Sequence, residues 1–181
     1  MRLSAPESRL LVIDVQQRLL PVMADSARVV ERSRIMLAAA AAMNVPVLAT
    51  EQYPKGLGPT VPELLEPLGS APIFEKLHFS AYAEPPVRNM LREDDGRRQI
   101  VVLGIEAHVC VLQTVLDLLQ HEYRVFVVSD AISSRSRDSV ALAEARMRQA
   151  GAILVNAEMC VFEWLGQAGH PQFRALSKLI K

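Results

Sequence analysis

The chain has 181 residues and a mass of 20.0 kDa, the size of one domain with its own core. Hydrophobic residues make up 50% and charged residues 22%, which excludes a disordered chain. Lys plus Arg number 20 and Asp plus Glu 20, so the formal net charge is zero and no bulk field gathers nucleic acid or an anionic membrane.

Short apolar runs rich in β-branched residues alternate with longer stretches of helical spacing. The first run, Leu10–Ile13, ends at Asp14, and Glu7, Arg9 and Asp14 break up any signal-peptide core here. Asp25 and Ser26 are candidate caps for a helix to about Met43. The apolar stretch Met36–Met43 within it is far short of the roughly 18 residues of a membrane span. Val45–Ala49 is the second strand. Gln52–Pro72 is rich in Pro and Gly, with only a brief helical patch near Glu63–Leu65, and long irregular segments in compact domains serve as lids or interfaces. Pro72–Phe74 is the third strand, and a helix crosses roughly Glu84 to Glu93. Ile100–Leu103 is the fourth strand, followed by the turn Gly104–His108 and a helix from Val109 to about Gln120. Val125–Val128 is the fifth. A helix starts near Ser136 and Asp138 and stops at Gly151, with Arg146 and Arg148 suited to its negative pole. Ile153–Val155 is the sixth strand, and Pro171–Lys181 forms a short terminal helix.

Most of these strands are apolar on both faces, as a parallel sheet covered on both sides requires. Strand–helix alternation with right-handed crossovers predicts one α/β domain over residues 1–181, a three-layer α/β/α sandwich on six parallel strands.

In an open parallel sheet, ligands bind beyond the carboxyl ends of the strands. Asp14 (LLVIDVQ), Glu51 (VLATEQY), Lys76 (IFEKLHFSAY), Cys110 (VVLGIEAHVCV) and Asp130 (VFVVSDA) all fall there. Cys110 opens an apolar helix, where unpaired N–H groups and the helix dipole favour a thiolate. A nearby Lys lowers the thiol pKa further, a carboxylate accepts its proton, and the same N–H groups receive an oxyanion. This is an acyl-transfer site in outline. Plainer roles stand beside it: Asp14 as a helix cap, Lys76 as a solvated surface group, a cysteine as a small core side chain. Core packing suits Cys160, in AEMCVFEWL, and loop ordering suits Asp130. Glu51 and Tyr53 either face substrate or close their loop. His108 either orients substrate or bonds locally, and His78 is equally suited to packing. Tyr53, Phe79 and Tyr82, with Pro54 and Leu57, suggest an aromatic-lined pocket for a small molecule. Two cysteines in a domain this size read as reduced thiols in a cytoplasmic setting.

These residues resemble the isochorismatase-like (cysteine hydrolase) superfamily, which includes nicotinamidases and carbamoylsarcosine hydrolases, over essentially the whole chain. ATEQYPKGLGPTVPEL, FEKLHFSAY, GIEAHVCVLQT and SDAISSRS look most like the branch called isochorismatase domain-containing proteins. The resemblance implies a triad of Asp14, Lys76 and Cys110 on a six-stranded parallel sheet. It implies a non-proline cis peptide at Ile105–Glu106 and an oxyanion hole from the N–H groups of Glu106 and Cys110. Metal-binding nicotinamidases carry an Asp-x-His arrangement after the second strand; here Glu51-Gln52-Tyr53 supplies no histidine. His78, His108, His121 and His170 include no pair at metal-ligand spacing, so neither metal nor cofactor is implied. True isochorismatases act on a vinyl ether without needing the cysteine, so a retained Asp/Lys/Cys set looks like the amidase side of the family.

The leading reading is hydrolysis of a small amide or related acyl compound through a thioester. A non-catalytic binding or scaffold protein keeps the same residues without turnover, and an oxidant-responsive thiol is a third reading. The expected partners are a small-molecule substrate and further copies of the chain, with no nucleic acid and no membrane. A dimer at least is expected. The helix from Ser26 carries Ile35, Met36, Leu37 and an alanine run, more apolar surface than one sheet face needs, and Gln52–Pro72 is a further candidate contact.

Overall fold

In chain order the elements are β1 (Ser8–Ile13), α1 (Ser26–Ala42), β2 (Val47–Gln52), α2 (Pro54–Leu57), α3 (Pro62–Leu68), β3 (Ile73–Lys76), α4 (Pro85–Leu91), β4 (Gln99–Ile105), α5 (Leu112–Gln120), β5 (Arg124–Ser133), α6 (Arg137–Gln149), β6 (Ile153–Val155), α7 (Ala157–Leu165) and α8 (Phe173–Lys178). This computed structural model describes residues 1–92 and 96–180, so Glu93 and Lys181, the expected ends of two helices, lie outside the described residues.

The six strands pair in parallel in the order β3-β2-β1-β4-β5-β6. Every residue of β1 is buried, because alternate side chains enter two different cores. Leu10 and Val12 pack with α1, α3, α7 and α8 on one face. Leu11 and Ile13 pack with α4, α5 and α6 on the other. A sheet with both faces covered this way is the expected three-layer sandwich. Strand order reverses between β1 and β4, so a crevice opens outside their carboxyl ends.

Gly104 sets how closely those two strands meet. It has φ +121°, and a Cβ there would stand 2.0 Å from the Ile13 carbonyl oxygen. Only glycine combines that dihedral with that approach. The register of β4 on β5 shifts at the same point, between Val102 and Gly104.

Three expectations need correction. Asp25 makes no side-chain capping bond to α1; its carboxylate instead meets Arg28 at 3.5 Å and Arg137 at 3.0 Å. Ile35, Met36 and Leu37 are buried within the chain, so the apolar surface that α1 leaves open is that of its alanines, Ala41 above all. The Gln52–Pro72 excursion holds α2 and α3 and is tied down along the segment after β1. Gln17 N–H bonds Pro59 O at 3.0 Å, Arg18 N–H bonds Leu57 O at 3.1 Å and Val61 N–H bonds Val15 O at 3.0 Å.

Two elements go beyond the expected pattern. β5 runs on through Asp130 to Ser133. α7 follows β6 almost at once, capped by Asn156, whose Oδ1 accepts from Met159 N–H at 2.8 Å. Asp130 Oδ1 accepts from Ala157 N–H at 2.9 Å, so it orders the start of that helix. Among the described residues no helix is long and apolar enough to cross a membrane.

Candidate active site

Asp14, the first residue beyond β1, has φ +52° and no solvent exposure. Its N–H bonds Thr50 O at 3.1 Å, and its Oδ1 accepts from Thr50 Oγ1 at 2.7 Å. Lys76, the last residue of β3, places Nζ 2.8 Å from Asp14 Oδ2, with both side chains fully buried. Beside this ion pair, Nζ donates its hydrogen bonds to Gln52 Oε1 at 2.6 Å and to the carbonyls of Phe79 and His78 at 3.1 and 3.2 Å. An ammonium withdrawn from water is sustained only by such a full set of oxygens.

Cys110 enters from β4. The Ile105–Glu106 peptide is cis, and Ala107–Val111 forms a π-helical turn that leads into α5, rather than the first turn of α5 itself. The N–H groups of Val109 and Val111 both bond Glu106 O, at 3.1 and 3.2 Å. Thr114 Oγ1 donates to Cys110 O at 2.6 Å and accepts from Ala81 N–H at 2.8 Å, fastening the turn to the segment after β3. The thiol interacts with Asp14 and Lys76, and Gln52 Oε1 is 3.9 Å from Sγ. Three strand ends thus bring the expected trio together.

Its electrostatics differ from the expectation of a resident thiolate. Burial, and then the Asp14 charge, push the Cys110 thiol up to about 12, and Lys76 offsets only part of this. Burial likewise raises Asp14 above the usual carboxylate value, against the pull of Lys76 and the hydrogen bond from Thr50. Both groups hold their protons more firmly than free side chains do.

The other candidates scatter. Glu51 Oε1 accepts from Thr60 N–H at 2.6 Å and Thr60 Oγ1 at 2.7 Å, so it closes its own loop. His108 Nδ1 lies 2.9 Å from Ser134 Oγ, and Glu106 Oε2 accepts from Arg135 N–H and Nε at 3.2 and 3.1 Å. These contacts pin the Ala107–Val111 turn to the end of β5. Tyr82 is core: its ring packs on His121 and Tyr123. Phe79 is exposed. Tyr53 lines a cavity of about 420 Å³ with Pro54, Lys76, Leu77 and His78. A larger cavity, about 960 Å³, runs along α1 and α3 and contains none of the trio, so chemistry and not volume selects the site. Among the described residues no three His, Cys, Asp or Glu side chains gather at metal-binding distance.

Gln52, Thr50 and Gln16 were not expected from the sequence. A strand's side chains alternate, so residues 50 and 52 share one face of β2 and Glu51 takes the other. That parity alone would have moved attention from Glu51 to its neighbour.

Comparison with known proteins agrees with this geometry. The isochorismatase domain model matches residues 8–159. Isochorismatase domain-containing protein 2A of Mus musculus is 43% identical over 180 residues, 97% of this chain and 84% of its own. A Caenorhabditis elegans structure described as MAR1 ribonuclease superposes with TM-score 0.94 at 41% identity, covering 99% of this chain and 92% of that one. The YcaC gene product of Escherichia coli, described as an octameric hydrolase of unknown specificity, gives TM-score 0.93 at 25% identity over 99% of this chain and 89% of that one. With its sheet order and these likenesses, the chain belongs to the isochorismatase family and has that family's hydrolase fold.

Proposed function

We propose that the protein is a cysteine hydrolase of small amides or related acyl compounds, working through a thioester on Cys110. The observation that carries this reading is one buried cluster: Asp14 and Lys76, 2.8 Å apart without solvent exposure, beside the Cys110 thiol. Because the thiol is held near 12, its proton leaves as sulfur attacks rather than beforehand. Sγ bonds the carbonyl carbon, the C=O pair moves onto oxygen, and Asp14 takes the proton. A carboxylate raised by burial is a stronger base than an exposed one, which suits Asp14 to that step. Lys76 balances the negative charge as it passes between sulfur and carboxylate. The N–H groups of Glu106 and Cys110 receive the oxyanion; Val109 and Val111 use the Glu106 carbonyl on either side of Cys110 and leave its N–H out of that pairing. Asp14 returns the proton to the leaving amine as the C–N bond breaks. Water, deprotonated by Asp14, then frees the acid and restores the thiol.

The raised thiol argues against the oxidant-responsive reading, since peroxide chemistry needs an accessible thiolate. Ribonuclease chemistry, named for the worm relative, calls for cations free to meet phosphates, whereas Lys76 is buried and fully engaged. Both cysteines are free, which fits a reducing, cytoplasm-like compartment. We also infer an assembly of at least two copies, supported by the relative described as octameric and by the exposed Leu77 and Phe79. Light scattering that returns a mass near 20.0 kDa at micromolar concentration rejects the assembly.

The test is a panel of carboxamides, esters and an RNA oligomer, run with the parent and Cys110→Ser. Amine release by the parent, with an acyl adduct on Cys110 by intact mass, is the expected result. Binding without turnover across the panel moves the scaffold reading ahead. RNA cleavage that survives Cys110→Ser overturns the proposed function.

A further inference from the structure

The carboxamide of Gln52 stands between two groups of the trio, Lys76 and Cys110, and its orientation is settled by its neighbours. Oε1 lies 2.6 Å from Lys76 Nζ, which only donates, and Nε2 donates to Leu77 O at 3.0 Å. Gln16, fully buried, grips the Gln52 backbone on both sides: its Oε1 accepts from Gln52 N–H at 2.7 Å and its Nε2 donates to Gln52 O at 3.0 Å. The same Nε2 donates to Gly58 O at 2.6 Å, which ties this clamp to the loop after α2. The amide is therefore held in place, with its oxygen 3.9 Å from Cys110 Sγ.

We propose that Gln52 is a positioning residue that holds Lys76 against Asp14 and keeps Cys110 in its thiol form while the site is empty. The negative end of the amide dipole faces the sulfur, which favours S–H over S⁻. The same oxygen takes an ammonium proton that would otherwise be free to turn toward the sulfur. The charged groups facing the thiol are Asp14 from the end of β1 and Lys76 from β3. β2 contributes only the neutral Gln52 at this point. On the thiol's own turn, His108 is directed to Ser134 and Glu106 to Arg135. The inference rests on the proposed function only for the choice of Cys110 as nucleophile.

The experiment is site-resolved alkylation of Cys110 by iodoacetamide, with rates measured from about pH 7 to 10 in the parent, Gln52→Met and Gln52→Glu. Below the thiol midpoint the alkylation rate is proportional to the fraction of Cys110 present as thiolate. Gln52→Met removes the oxygen and frees Lys76, and Cys110 should react about tenfold faster. Gln52→Glu puts a full negative charge at the same spot, and the rate should fall about tenfold. Opposite changes support the proposal, because loosened packing would speed both variants and would expose Cys160 as well. Rates within about twofold of the parent, or both moving the same way, overturn it. If Gln52→Met does not fold, Gln52→Glu keeps the shape and the acceptor, and an unchanged or faster rate in that variant overturns the proposal alone. Alkylation needs no turnover, so a failure of the hydrolase reading shows separately, as an absent acyl adduct.

Discussion

The two cysteines are buried, free and apart, and the sheet lies between them. Cys110 packs with Leu11, Ile13 and Val111 on one face, and Cys160 packs with Val161, Trp164 and Leu165 on the other. Burial raises both thiols, Cys160 the further. What separates them is the company each keeps. Three strand ends deliver a carboxylate, an ammonium and a carboxamide to Cys110, while Cys160 packs in the core among Val161, Trp164 and Leu165, and the carboxylates of Asp130 and Glu163 only push its thiol further up. Burial by itself makes a thiol inert. A reactive one needs polar groups that the fold has also withdrawn from water. The separation also removes Cys160 as a resolving partner for Cys110.

The sharpest way to break that contrast is to delete each sulfur in turn. Cys110→Ala should lower turnover of the best substrate by on the order of 10⁴-fold, as loss of a nucleophile does. Cys160→Ala should leave turnover unchanged and cost about 1–2 kcal/mol in urea unfolding, the range for a small core deletion. Comparable kinetic losses in both would mean that the environment does not distinguish them.

A second route is to disturb the β1/β4 junction beneath Cys110 and leave α7 untouched. Gly104→Ala forces a Cβ to within 2.0 Å of Ile13 O at φ +121°, and the strand pair must part to admit it. We expect a loss of about 3–5 kcal/mol, read from the urea midpoint. A near-neutral result would show that the crevice is not held by this close approach.

Alkaline pH should act on Cys110 through its proton. The folded thiol, held near 12, keeps its proton where the unfolded one, with the ordinary value of 9.0, has lost it. Stability from this group is complete below pH 9 and drains away as pH rises toward 12, by up to about 4 kcal/mol. The parent should therefore lose stability over that window more steeply than Cys110→Ala, by thermal unfolding at a series of pH values. Parallel curves would contradict a proton-retaining thiol.

The smallest expected effect tunes Asp14, the proposed base. Thr50→Val removes the hydroxyl that donates to Asp14 Oδ1 at 2.7 Å, at a cost of about 1–2 kcal/mol. That hydrogen bond lowers the Asp14 pKa, so its loss should move the acid limb of the pH–rate profile to higher pH. An unmoved limb would detach Asp14 from the rate.

The sandwich was legible because a sheet covered on two faces leaves an unmistakable record. Runs such as Leu10–Ile13 and Val125–Val128 are apolar at every position, and β1 is buried along its whole length. α7 was not legible: AEMCVFEWL is apolar nearly all round, so it shows neither a helical stripe nor strand alternation, and its caps lie at Asn156 and on β5 at Asp130. Asp14, Lys76 and Cys110 stood out as reactive types at strand ends. Tyr82 and Glu51 stood out equally, and nothing in their residue types separates a pocket side chain from one that packs on His121 or bonds to Thr60.

Taken alone, the order of residues determines which segments form strands, that they lie parallel, and that an acid, a cation and a thiol gather at one sheet edge, since all of this follows from local periodicity and topology rules. Only the tertiary structure decided which neighbours share a face with them. Gln52 rather than Glu51 joins the trio because the twist and parity of β2 turn residues 50 and 52 toward Asp14 and Lys76. The protonation of the site was likewise decided in three dimensions. Desolvation depends on what the other strands, helices and loops place around a group, and that is written nowhere near residue 14 or residue 110.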